Sequence, residues 1–576
     1  MHPKNPEKLA WGGPVQSVLF SKSERMVLLI ILLVGLGYPT RIPAGILEVP
    51  GDYPTVQEAL SSASEGDTVL VAEGTYFENL RFPPANLVLA SHYIIDGDSS
   101  HIPLTILDGS QCTNPDTASI IYMDGGQDSS SAVTGFTITN GKGTLHWFYA
   151  TQSFQLYGGG AYINGSSPII SHNRFTADSA FSGGGLFLGP NANAIVRHNE
   201  FSCNYAQQWG GCVRAEECSP LFHENHMHDN YAFQRTAIST DACTNIIITN
   251  NYIHHNYGIS VNALMIGDGG PAYIANNIIS DNICDSAAIG GAGLAVQQIE
   301  AVIENNQFLS NIGGMAYGAL CLGIYSGGAV LGNLFQDNTC TVNGAAISMY
   351  ISNFSITNNQ FINNYCPWGG AGVYLAPGSE AYIEGNSFTG NITDQSHGSA
   401  VASYFPISCT LRNNNIHNNS DPSVGVYLET QLITLTDAVY NWWGHSSGPY
   451  HPLLNPSGLG DAVGDSVLFD PWLTEPVWAS QEAPGFFPHQ LLLYPAFPNP
   501  FNATTTIRFD LPVACRVRLD IFDVAGRRAA SPLQGGWREA GAHEVTFAAS
   551  NWASGIYLYR LKAGNFEAVG KMVLLK

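Results

Sequence analysis

The segment Asn225-His226-Met227-His228-Asp229-Asn230 is followed 26 residues later by Asn251-Tyr252-Ile253-His254-His255-Asn256, and this pairing decides the fold. Each segment opens with Asn, places an apolar residue two positions on, and closes with a second Asn. The same unit opens at Asn173, Asn199, Asn225, Asn251, Asn277, Asn306, Asn333, Asn359, Asn386 and Asn414, at intervals of 26 to 29 residues. The second Asn recurs from Asn204 and Asn230 to Asn391 and Asn419, and Gly-Gly or Gly-Ala steps often follow, as at Gly183–Gly185, Gly210–Gly211 and Gly344–Ala345. Leucine-rich repeats would carry Leu at fixed offsets, and paired-helix repeats need longer units with helical spacing. Short alternating runs instead suggest a coil of three short strands and three turns, each coil pairing with the next as parallel strands. Asn suits the turns because it tolerates left-handed φ and bonds its own backbone, and aligned Asn side chains can also bond along a stack. Ten coils about 4.8 Å apart would make a rod segment of roughly 48 Å.

Composition agrees. Charged residues are only 12% of the 576, against 45% hydrophobic residues and 61 Gly, which argues against disorder. Net charge is −23, unevenly placed: residues 491–576 hold ten Lys/Arg and six Asp/Glu, whereas residues 46–490 hold seven and thirty-seven. No Lys or Arg stands between Arg235 and Arg412, so nucleic acid is excluded as a partner there. Met26–Gly37, an apolar run behind Lys22 and Arg25, reads as an export signal, and the mature protein is expected to lack a transmembrane span. Residues 1–45 are assigned to this signal and a poorly defined N-terminus, 46–475 to the rod, 476–490 to a Pro- and Gly-rich linker, and 491–576 to a C-terminal module.

The repeat resembles the right-handed parallel β-helix of the pectate-lyase-like superfamily. Gly51–Leu60 with Glu65–Val71 is similar to that family's N-terminal cap, where a short amphipathic helix (about Thr55–Ser62) covers the apolar end. Gly135–Gly141 resembles an early coil. Asn441-Trp442-Trp443-Gly444 and Phe469-Asp470-Pro471-Trp472 resemble the aromatic closing segment. In the module, alternating runs at Thr505–Leu511, Val517–Asp523, His543–Phe547, Gly555–Lys562 and Lys571–Leu575 argue a small β-sandwich. Pro498-Asn499-Pro500-Phe501-Asn502, Asp523–Arg527, Ala553–Tyr557 and Lys571–Val573 resemble the C-terminal sorting domain of the type IX secretion system. They are also similar to the Ig-like domain of flagellar hook-capping proteins. The expected fold class is all-β: a right-handed parallel β-helix solenoid followed by a small Ig-like β-sandwich. The sorting resemblance implies secretion, or display on the outer surface, of a Gram-negative-type bacterium. It also implies contact with the secretion machinery through 491–576.

Stacking converts the repeat interval into columns. Asp229, His255 and Asp281 share one column, a candidate metal site for which calcium is the suggested cation, or else a solvated polar turn. His228 and His254 share the neighbouring column and are binding candidates. Tyr205, Tyr231 and Tyr257 form another: facing outward they would stack on sugar rings, facing inward they are core packing, and parity after a turn does not decide which. Cys340 and Cys366 share a column, and Cys218 and Cys243 nearly do, spacing that suits either disulfides or a buried thiol ladder. Arg174, Arg197, Arg214 and Arg235 are the only basic residues between Lys142 and Arg412, and none sits in a recognised motif. The paired-Asp motifs of polygalacturonases and the catalytic set of pectin methylesterases are not visible, nor is a Ser-His-Asp signature. The reading ranked first is therefore an exported protein that binds polysaccharide or cell-surface glycan, or serves as a structural or adhesive rod. A polysaccharide lyase or glycoside hydrolase ranks second.

Overall fold

The computed structural model describes residues 45–477, apart from 149–151, 260–262, 286–289, 316, 421 and 427–435, and most of residues 492–574. The expected export signal and most of the linker lie outside the described residues. The chain divides after Val477 into two compact units.

In the first unit the chain coils through three long parallel sheets of 16, 13 and 13 strands. The first sheet starts at Ile46–Val49 and ends at Val467–Leu468. Register follows the repeat: Phe175 pairs with Phe201, Phe201 with Met227, Met227 with Ile253, and Ile253 with Ile279. Each of these side chains is fully buried in one continuous core running the length of the unit. Phe308, Phe335, Phe361 and Phe388 stack within that core at 4.8, 5.1 and 4.5 Å between ring centroids. The helix Val56–Ser62, capped by Thr55 Oγ1, buries Val56, Ala59 and Leu60 over the first coil. Trp443 is buried, and Phe469 and Trp472 pack on the same core at the far end.

The structure changes two details of the expected coil. The repeat Asn residues do not take the left-handed conformation. It falls one residue earlier, at His172, His198, Glu224 and Asn250 before the first column, and at Cys203, Asp229 and His255 before the second. The Asn side chains turn inward, are buried, and bond along the stack. Asn199 Nδ2 donates to Asn225 Oδ1 at 3.1 Å and to the Ile170 carbonyl at 2.8 Å. The ladder thus satisfies backbone groups that the turn would otherwise bury unpaired.

The coil also has a fourth sheet, of eight strands, between the second and third. It begins at Thr117–Ala118, which pairs with an antiparallel hairpin, Gly143–Phe148 with Ser153–Tyr157, and continues through Ser179–Ser182, Tyr205–Trp209, Tyr231–Gln234, Tyr257–Gly258 and Ile283–Cys284. Beyond Cys284 it thins to single bridges such as Ile312 with Thr339. Gly steps close this sheet against the third: a Cβ on Gly184 would fall 2.6 Å from the Tyr205 carbonyl oxygen.

The second unit holds antiparallel sheets of three and four strands, Leu492–Leu493, Thr504–Leu511 and Gly541–Ala548 against Cys515–Asp523, Arg528–Arg538, Gly555–Ala563 and Phe566–Leu574. Its core includes Ile507, Phe509, Leu519, Ile521, Tyr559 and Leu561. The Arg528–Arg538 strand was not foreseen, because Gly535 and Gly536 interrupt its alternation.

Candidate functional site

Along the third sheet, alternate residues such as Leu186, Leu188, Val213 and Ala215 enter the core, while the residues between them point away from it. Those intervening residues form one register column: Tyr122, Tyr162, Phe187, Arg214, Ser239 and Met265. Several are buried all the same, because the hairpin and the fourth sheet lie over them. The His146 ring lies 4.9 Å from Phe187, and its Nδ1 is 2.9 Å from the Tyr162 hydroxyl. Tyr157 meets Phe187 edge-on at 4.8 Å.

Arg214 is the centre of this layer and only 3% exposed. Its Nε donates to Glu216 Oε1 at 2.8 Å, Nη1 to Ser239 Oγ at 2.8 Å and Nη2 to Asp241 Oδ2 at 3.0 Å. The Trp209 ring lies over the guanidinium, 5.3 Å from centroid to Cζ, and its Nε1 donates to Gln234 Oε1 at 3.0 Å. Arg235 reaches the same Ser239 hydroxyl at 3.5 Å, and its buried Nε has no hydrogen-bond partner among the described residues. Burial, then neighbouring Arg214, pushes the Arg235 guanidinium down to about 10. Asp268 is raised by burial and then by Asp241. His146 Nε2 stands 4.0 Å from Glu216 Oε2, and burial holds the imidazole below its usual range.

An aromatic rim borders the cluster. Phe148, on the hairpin, contacts Phe181 at 5.6 Å and Trp209 at 5.4 Å, and Trp147 meets Phe154 edge-on. On the same sheet Tyr205, Tyr231 and Tyr257 point outward, Tyr205 being 46% and Tyr257 41% exposed. The inward alternative is thus replaced by an exposed ladder. Its rings stack on one another, at 5.3 Å and 3° and then 5.8 Å and 25°. Their faces are therefore occupied by each other, and the ladder offers solvent its edges and hydroxyls rather than faces for a sugar to cover.

The other sequence candidates lie on the second sheet. The rings of His228 and His254 stack at 5.2 Å, and His254 Nε2 is 2.6 Å from His226 Nε2. Burial first, then the neighbouring His226, His228 and His255, lower the His254 imidazole to about 4. Asp229, His255 and Asp281 occupy successive coils in left-handed turns, but they do not come together as a set that could hold a metal ion. Asp229 turns to His228 Nδ1 at 2.7 Å and His255 to His254 Nδ1 at 2.8 Å. Among the described residues no group of three His, Cys, Asp or Glu side chains is placed to hold a metal ion, so the calcium expectation has no ligand set behind it. A separate open recess of about 450 Å³ lies at the capped end, lined by Gln57, Arg81, Phe82 and Asp124 among others.

Sequence reasoning noted Arg214 without placing it and missed Trp209, Glu216, Asp241 and His146. Two signals were present. Glu216 and Asp241 lie nearly one repeat apart, and in the structure they pair across adjacent coils. The coil from Ile138 to Phe175 is also 37 residues long, enough over the usual interval to hold the hairpin.

The family model for the right handed beta helix region matches residues 119–308 and 292–441. That for the secretion system C-terminal sorting domain matches residues 495–575. No curated protein matches the chain. Among solved structures, a mannuronic acid specific polysaccharide family 6 lyase from human gut microbiota aligns at 10% identity and a TM-score of 0.30, covering 75% of this chain and 92% of that one. A tailspike protein mutant of E. coli bacteriophage HK620, in complex with pentasaccharide, aligns at 10% identity and 0.25, covering 85% and 88%. Among the described residues no helix is long and apolar enough to cross a membrane.

Proposed function

For a chain that belongs to the right-handed β-helix family over residues 119–441 and carries a secretion sorting domain over 495–575, we propose an exported protein that binds polysaccharide on the face formed by its third and fourth sheets. The observation that carries this reading is buried Arg214, clamped by Glu216 and Asp241 beneath Trp209. Burying a guanidinium against two partly exposed carboxylates adds little to stability compared with apolar packing, so the cluster points to a role other than holding the fold. Half-exposed carboxylates, an aromatic rim and a row of tyrosine hydroxyls are the groups that bind hydroxyl-rich, weakly charged chains. The acidity of residues 46–490 disfavours polyanionic glycans. The test is retention of the full chain on a panel of neutral and acidic polysaccharides. Binding to neutral members supports the reading, and binding to none leaves a purely structural rod.

A second reading, a lyase or hydrolase, is favoured by one arrangement. His146 holds its two ring nitrogens toward the Tyr162 hydroxyl and Glu216, and its lowered basicity keeps it neutral and able to accept a proton. Incubation of the same panel would then yield new reducing ends, or unsaturated ends absorbing in the near ultraviolet.

A further inference from the structure

Cys218 and Cys243 follow the strands Val213–Glu216 and Ile238–Asp241, which pair in register with Glu216 opposite Asp241. The two cysteines therefore occupy matching positions on adjacent coils, a separation within the Cα range that a disulfide spans. Both are buried thiols, and their sulfurs lie 3.5 Å apart. Their other contacts are weak: Cys218 Sγ lies 3.9 Å from the Leu188 carbonyl oxygen and Cys243 Sγ 3.5 Å from that of Asp241. Cys340 and Cys366 also lie within hydrogen-bond reach of each other, but each donates to a carbonyl of its own turn, at 3.1 and 3.2 Å, and oxidation would forfeit those bonds.

We propose that Cys218 and Cys243 are joined as a disulfide during export, stapling two successive coils directly beside the Arg214 cluster. The sorting domain marks a chain that leaves the reducing cytosol and crosses an oxidising compartment. The oxidant is a protein disulfide of that compartment. One cysteine thiolate attacks it to form a mixed disulfide, and the second cysteine displaces the carrier. Two electrons and two protons pass to the carrier, which leaves as a dithiol. Because both sulfurs are enclosed in the finished coil, the exchange precedes stacking of these two coils.

The full chain, recovered after export and denatured without reductant, is treated with an alkylating reagent and mapped by mass spectrometry. The expected result is a peptide pair linked through Cys218 and Cys243, with Cys340 and Cys366 alkylated. Alkylation of Cys218 and Cys243, or linkage of either to another cysteine, overturns the proposal. Cys218→Ser, Cys243→Ser and the double variant provide a second measurement. Dithiothreitol should lower the melting temperature of the exported parent by a few degrees and leave the double variant unmoved. An equal response in both contradicts the staple.

Discussion

Asp178 stands one coil before Asn204 and fills the first rung of the second Asn column: its backbone N–H donates to Asn204 Oδ1 at 3.1 Å, and its Oδ1 accepts from Gly141 N–H at 2.8 Å. Every later rung places an amide NH₂ where Asp178 places Oδ2, an atom with no hydrogen-bond partner among the described residues. Burial pushes this carboxyl well above the usual range, which favours its protonated form in the fold. The unfolded chain releases that proton above about pH 3.9, so the residue's contribution to stability declines as pH rises. Asp178→Asn should extend the ladder by one rung and raise stability by about 1–3 kcal/mol at neutral pH. The gain should shrink toward pH 4, as read by urea unfolding at both pH values.

Asn251 is the converse case. Its Oδ1 accepts from Asn225 N–H at 2.9 Å and Asn225 Nδ2 at 3.0 Å, and its Nδ2 donates to Phe222, Thr249 and Asn277. Asn251→Ala leaves several buried groups unpaired and should cost at least about 3 kcal/mol. Because coils contact only their neighbours, the loss should be local. Hydrogen exchange should quicken first in the coils holding Asn225 and Asn277.

Phe335 lies between Phe308 and Phe361 in the core, at 4.8 and 5.1 Å. Phe335→Ala should cost roughly 3–5 kcal/mol, whereas exposed Tyr205→Ala should cost under about 1 kcal/mol. Denaturant midpoints of the two variants test this contrast.

The histidine-rich coils make the rod sensitive to acid. His172 is lowered to about 4 by burial, then by His198 and Arg197, and His254 is also lowered to about 4. Unfolded, both bind protons near their ordinary value of 6.5. Between about 6.5 and 4 the unfolded chain therefore holds more protons, and stability should fall as pH drops through that window. His172→Gln combined with His254→Gln should flatten the dependence of melting temperature on pH. An unchanged slope would assign acid sensitivity to other groups.

How far the sequence carried these conclusions can be traced residue by residue. The apolar residue two positions after each Asn fixed the strand register, because one side chain per coil must enter a shared core. The wide spacing between the Ile138 and Phe175 coils marks an insertion that the repeat reading passed over, and spacing alone does not show that it folds back over Arg214. The outward turn of Tyr205 could not be read, since parity is lost at the left-handed residue Cys203. The Asn side chains were expected to serve both turn geometry and stacking; the structure moves the left-handed φ to the preceding residue but keeps both the bond to the backbone of the same turn, Asn251 Nδ2 to the Thr249 carbonyl, and the stacking, Asn251 Nδ2 to Asn277 Oδ1. The Arg214 cluster was hidden because Trp209, His146 and Glu216 come from three different strands, joined by coil geometry rather than by a motif.

The most direct test of the polysaccharide-binding face is affinity electrophoresis of the full chain through gels containing each neutral polysaccharide, comparing the parent with Trp209→Ala and Arg214→Met. Methionine keeps much of the Arg214 stem beneath Trp209 while removing the charge. On at least one polysaccharide the parent should be retarded, and both variants should bind roughly tenfold more weakly while retaining a folded circular dichroism spectrum. Equal retardation of parent and variants, or no retardation of the parent on any polysaccharide, would contradict the assignment of this face.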